Sequence, residues 1–157
     1  MLKEEAANSL SAAQKIPDNY RLVPLYNLDA VGGMHATNLE TADSEYVEEY
    51  VPFEAARKGD VSLWVTGESM IPTYPPGCKI LIRRVVGWQE YFGFGNVFVL
   101  LLNDGRRILK EVVKSEENPK THVLCKSHNP KYSPEELPKN MIGEVWKVIQ
   151  AHINRGW

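Results

Sequence analysis

From about residue 46 onward, apolar positions come in short runs rich in β-branched and aromatic side chains, each closed by proline, glycine or asparagine. The runs are Tyr46–Val51, Val61–Val65, Ile80–Ile82, Val97–Leu102, Ile108–Val113, His122–Leu124 and Val145–Ile153. That pattern predicts a mainly β domain of twisted, chiefly antiparallel strands, because such side chains suit a pleated surface and the residues between them suit turns. Ala55-Ala56-Arg57-Lys58-Gly59-Asp60 predicts one helical turn closed by its glycine. Residues 2–15 are rich in Ala, Leu, Glu and Lys and are closed by Pro17, which predicts a short helix. Its apolar face, Leu2, Ala6, Leu10 and Ala13, is a weak anchor because small side chains bury little area. Leu22-Val23-Pro24-Leu25-Tyr26 is strand-like, but a Gly-Gly pair and the polar run Thr37–Ser44 follow it. Residues 18–45 are therefore expected to form an exposed arm rather than core. The chain divides on this reading into a helix and flexible arm over 1–45 and a β domain over 46–157.

Composition narrows the class. At 157 residues the chain suits one domain, and 43% hydrophobic with 24% charged residues is an ordinary globular balance. A formal net charge of −2 leaves no basic excess to neutralise a phosphate backbone, so direct nucleic-acid binding by this polypeptide is not expected. Cys78 and Cys125 form neither a C-x-x-C motif nor a disulfide framework, which fits a reducing, cytoplasmic compartment. The apolar runs are far shorter than the roughly 20 residues of a membrane span. Met1-Leu2-Lys3-Glu4-Glu5 lacks the apolar stretch of a signal peptide, so neither secretion nor membrane insertion is expected.

Candidate chemistry begins where the run Val61–Val65 meets Thr66-Gly67-Glu68-Ser69-Met70-Ile71-Pro72-Thr73. A glycine just before a serine lets the backbone turn sharply and present a hydroxyl with nearby amides free to bind an anion. A serine in such a turn is as readily a turn residue, and Ile71 stands where a G-x-S-x-G elbow needs its second glycine. On a period of two, Ile108, Lys110 and Val112 share a strand face. If that face points inward, burial favours the neutral amine, which can accept a proton. Lys79 and Lys114 compete for that role, and Lys110 itself is open to reading as an exposed strand lysine. His35, His122, His128 and His152 show no ligand spacing, so no metal or cofactor is expected and the histidines are taken as surface or turn residues. Gly93 and Gly95 lack the remainder of a phosphate-binding loop.

Taken in order, V-x-G-x-S-M-x-P at Val65–Pro72 and P-G-x-x-I-L-I at Pro76–Ile82 are followed by a lysine in an apolar strand. This series resembles the core shared by LexA-like repressors and type I signal peptidases. Ala56–Asp60 is similar to the family's A-x-x-G-D segment, Phe92–Val97 to the F-G-x-x-x-V stretch of phage repressors, and Ser127–Tyr132 to an S-x-N-P-x-Y turn. The resemblance covers about 22–153. It implies a LexA/signal-peptidase-like β fold and a serine–lysine dyad, with Ser69 as nucleophile, Lys110 as base and the backbone amides of Glu68 or Ser69 holding the oxyanion. Cys78 stands where the family has an aspartate, and Glu111 where it has a basic or small residue; an anionic Glu111 would oppose loss of the lysine's proton.

LexA-like proteins cut their own linker at a small-residue pair ending in glycine. The matching place here is Leu28-Asp29-Ala30-Val31-Gly32-Gly33-Met34, which makes Gly32–Gly33 the candidate scissile bond, with Val31–Gly32 beside it. A glycine turn in a linker is the plain alternative. The resemblance implies the regulatory half of a transcriptional repressor, a homodimer whose C-terminal strand Val145–Ile153 forms an edge, with a RecA-like filament as co-protease. DNA would be reached only through a helix-turn-helix, for which residues 1–20 leave no room. A non-catalytic dimerisation module, or a relative of the headless mutagenesis proteins that assist a polymerase, stands as the alternative; a signal peptidase fits least, for want of a membrane anchor.

Overall fold

The computed structural model describes residues 17–27 and 46–153. They form one open mixed sheet of nine strands: β1 Arg21–Tyr26, β2 Val47–Phe53, β3 Val61–Trp64, β4 Lys79–Arg84, β5 Asn96–Leu102, β6 Arg107–Lys114, β7 His122–Lys126, β8 Glu135–Pro138 and β9 Ile142–His152. The order across the sheet is β2-β1-β3-β4-β9-β5-β6-β7-β8. The expected mainly β fold is observed. Every pair is antiparallel except β1 with β3, where Leu25 faces Ser62 and Tyr26 faces Leu63 in parallel.

Alternation along the central strands divides the interior into separate cores. On β5, Val99 and Leu101 join Ile80, Ile82 and Trp146 on one face, while Phe98, Leu100 and Leu102 join Val112 and Val145 on the other. On β4, Ile80 and Ile82 take the first face and Leu81 turns to Val23, Leu25 and Phe53. Strands buried on both faces read as continuous apolar runs, which is why Val97–Leu102 shows no polar alternation.

Three expectations are corrected. Residues 21–26 belong to the core rather than to an exposed arm: Val23 and Leu25 are 1% and 0% exposed. The Gly-Gly pair and polar run after this segment misled the reading; Pro24 is tolerated beside β3, because the parallel pairing involves only the two residues after it. Residues 55–60 form hydrogen-bonded turns rather than a helical turn. The Asp60 carboxylate accepts from the Arg57 amide at 2.8 Å and from Arg83 Nε and Nη2 at 2.9 and 2.8 Å. Finally, β9 lies inside the sheet. Trp146 and Lys147 are paired on both sides, while among the described residues Ile142–Glu144 pair with β5 alone and Val148–His152 with β4 alone, so each of these stretches keeps one open edge. The expected helix over 2–15 lies outside the described residues.

Replacing a fully buried leucine in β1 tests that strand's membership of the core. Leu25→Ala is expected to lower unfolding free energy by about 2–5 kcal/mol in urea titration. A strand lying on the surface would give a change within about 0.5 kcal/mol.

Candidate active site

Strand β3 ends at Trp64, and the chain loops out to return on β4. The base of this loop is closed by two backbone bonds, Val65 N–H to Cys78 O at 2.9 Å and Gly77 N–H to Val65 O at 2.8 Å. Gly77 takes φ 89°, a left-handed conformation that a side chain would strain. Inside the loop, Ile71 N–H donates to Glu68 O at 3.2 Å and Tyr74 N–H to Met70 O at 2.9 Å. Met70, 1% exposed, anchors the loop in the interior and leaves its neighbour Ser69 half-buried. Among the described residues the amides of Glu68 and Ser69 donate to no protein acceptor, so they are available to an anion.

Lys110 comes from β6, where Ile108, Lys110 and Val112 share a face as expected and Val112 is fully buried. Lys110 is half-buried. Its Nζ donates to Ser127 Oγ at 2.6 Å and stands 5.5 Å from the centre of the Tyr132 ring. Ser69 and Lys110 both line one cleft of about 320 Å³, whose walls include Leu63, Val99, Leu109 and Tyr132. The competing lysines lie elsewhere. Lys79 pairs with Glu49 and sits over the Trp64 ring, and Lys114 is exposed at the end of β6. Glu111 does not turn to Lys110; it accepts from His128 Nε2 at 3.0 Å. Gly32 and Gly33 lie outside the described residues.

The turn Ser127-His128-Asn129 supplies what the sequence reading left without a role. Besides the contact of Ser127 with Lys110, Asn129 donates its amide to Ser69 O at 2.9 Å and its Nδ2 to Glu68 O at 3.1 Å. His128 Nδ1 lies 2.6 Å from Thr73 Oγ1. Reading the histidines as plain surface or turn residues is therefore corrected for His128. It is corrected also for His152, which stacks on Phe53 at 4.2 Å and bonds Pro52 O at 2.7 Å. The S-x-N-P-x-Y resemblance marked this turn, but the partners of its side chains are set by folding, 17 positions from Lys110 and more than 50 from the Ser69 loop. Among the described residues no three His, Cys, Asp or Glu side chains are grouped to share a metal ion.

Both thiols are buried. Burial pushes the Cys125 thiol up to about 11; the charge of Lys110 pulls it down, while Glu135 and Glu136 add to the rise. Burial likewise raises Cys78, against its own backbone hydrogen bond.

Ser69 and Lys110, from different parts of the sheet, thus line the same cleft. Residues 24–147 match the family described as peptidase S24-like, and the chain belongs to that family. It is a family of serine peptidases, of the LexA and signal-peptidase kind. No match is found among curated proteins. Among the described residues no helix is long and apolar enough to cross a membrane.

The buried thiol gives a prediction of definite sign. A folded pKa above the unfolded 9.0 means that the stability due to the neutral thiol is fully present below pH 9 and is lost as pH rises through about 11. Cys125→Ala is expected to flatten the fall in melting temperature between pH 9 and 11. In the parent, iodoacetamide at pH 8 should label both thiols in denaturant and neither in the folded protein.

Proposed function

We propose that this chain hydrolyses its own backbone at Gly32–Gly33, with Ser69 as nucleophile and Lys110 as general base, and acts as the self-inactivating regulatory domain of a LexA-like repressor. The observation that carries the reading is the shared cleft: of the three candidate lysines, Lys110 alone lines it with Ser69. A neutral amine has two hydrogens and one lone pair. One hydrogen satisfies Ser127 Oγ, and the lone pair remains to take the Ser69 proton as Oγ attacks the Gly32 carbonyl carbon. The amides of Glu68 or Ser69 stabilise the oxyanion. Lys110 returns the proton to the Gly33 nitrogen as the peptide bond breaks, and water then hydrolyses the Ser69 ester to regenerate the hydroxyl.

Strand register supports the chain as its own substrate. β1 runs parallel to β3 with Tyr26 opposite Leu63. Because β1 and β3 are parallel, they finish at the same end of the sheet, so the chain after Tyr26 starts from the end at which the Ser69 loop begins. In this reading the domain works in the cytoplasm as a homodimer through the open edge of β9, is stimulated by a RecA-like filament, and reaches DNA through a helix-turn-helix domain.

Intact mass followed from neutral to strongly alkaline pH tests the dyad. The parent should yield 1–32 and 33–157, faster as pH rises and independent of protein concentration. Ser69→Ala and Lys110→Ala should abolish cleavage at unchanged melting temperature, and Ser127→Ala should slow it about 10-fold through a misplaced amine. A parent that stays intact throughout, or a Lys110→Ala variant that cleaves like the parent, overturns the reading.

A further inference from the structure

We propose that His128 is a positioning residue for the self-cleavage reaction above, holding the loop that carries Ser69 against the strand that carries Lys110. The inference rests on that functional reading for its consequence, and on geometry alone for the link itself.

His128 touches both halves of the site without touching either reacting group. Its Nε2 lies 3.0 Å from Glu111 Oε1, on the residue next to Lys110 in β6. Its Nδ1 lies 2.6 Å from Thr73 Oγ1, four positions after Ser69 in the same loop. The carboxylate can only accept, so Nε2 carries the hydrogen, and in the neutral ring Nδ1 accepts from the Thr73 hydroxyl. A protonated ring would donate from both nitrogens, and the hydroxyl would then accept. The chain Thr73–His128–Glu111 is thus satisfied in either state, as suits a brace. His128 and Glu111 are partly sheltered, their side chains 25% and 27% exposed, while Thr73 is exposed.

The brace is not redundant. Two backbone bonds zip the loop's base at Val65, and Asn129 holds the carbonyls of Glu68 and Ser69. Beyond Met70, the one side-chain bond from the loop to the rest of the fold, among the described residues, is that of Thr73 to His128. Glu111 has another charged neighbour, Lys126, opposite it on β7. Loss of His128 would leave Glu111 free to turn toward Lys126 and the loop beyond Met70 held to the rest of the fold by the packing of Tyr74. Nucleophile and base must meet within a few tenths of an ångström, so slack at the tip is read out as lost rate.

The test uses the whole chain and two independent readouts, amide exchange of residues 66–76 and the first-order rate of cleavage. His128→Phe keeps the ring and removes both bonds, while His128→Gln keeps one acceptor and one donor. Expected are faster exchange in 66–76 and cleavage slowed about 10-fold or more in His128→Phe, at unchanged melting temperature, with His128→Gln within about 3-fold of the parent. Thr73→Val should reproduce the exchange effect and add nothing in the His128→Phe background. Parental exchange in His128→Phe, equal slowing by Phe and Gln, or additive effects with Thr73→Val would overturn the brace. A parent that never cleaves removes the self-cleavage reading, and the exchange arm still decides whether His128 holds the loop.

Discussion

The pairing of β9 with β4 on one side and β5 on the other is the interaction on which the rest of the structure depends. Among the described residues, β9 is the strand through which β1–β4 and β5–β8 join in one sheet. Ser69 follows from the first group and Lys110 belongs to the second, so no local segment could bring them to one cleft. Trp146 sits at this junction, 1% exposed, with its Nε1 bonded to Glu144 at 2.9 Å. Its partners across the sheet are Arg84 on β4 and Val99 on β5. Register shifts beside it, at Leu81/Ile82 and Leu101/Leu102, add twist where the two groups must curve around separate cores.

On this frame the site is completed by a turn rather than by a strand. Strands deliver Lys110 at fixed depth, because their hydrogen bonds leave the backbone little play. The Ser69 loop is different: its base is zipped and Met70 and Tyr74 pack inward, but no strand pairing holds the rest of it. The three residues Ser127, His128 and Asn129 supply the missing ties, one holding the amine, one bracing the loop to β6, one holding the carbonyls of Glu68 and Ser69. Holding the Glu68 carbonyl fixes the peptide plane it shares with the Ser69 N–H, and so aims that unused amide.

Much of this was legible in the sequence, and the failures have physical causes. Seven strands were visible as runs, since β-branched and aromatic residues between turn formers leave few other solutions. Leu22–Tyr26 was assigned to an arm because it is short and a Gly-Gly pair and a polar run follow it; its place in the core comes from β2 and β3, which cover both of its edges, a non-local fact. Strand β8, Glu135–Pro138, was invisible, with two glutamates and a terminal proline. Ser69 and Lys110 were singled out through an ordered series of motifs, and the cleft brings them to one place. Neither spacing nor periodicity could give Lys110 its bond to Ser127, nor tell that Glu111 turns away to a histidine.

Glu111 shows how neighbouring positions on one strand divide the work. In a strand successive side chains take opposite faces, so an anion next to Lys110 in sequence is turned away from it in space. The acidic substitution that looked harmful in the sequence is thereby isolated from the cleft. Its carboxylate instead gives the imidazole of His128 a partner and fixes which ring nitrogen carries the hydrogen. Replacing Glu111 by the lysine or small residue expected at that position would leave Nε2 without its acceptor and the Thr73 hydroxyl facing a ring free to turn. Glu111, a departure from the expected pattern, and His128, at a position the motif leaves open, therefore make sense as a pair: each supplies what the other lacks, and together they tie the Ser69 loop to the strand of Lys110.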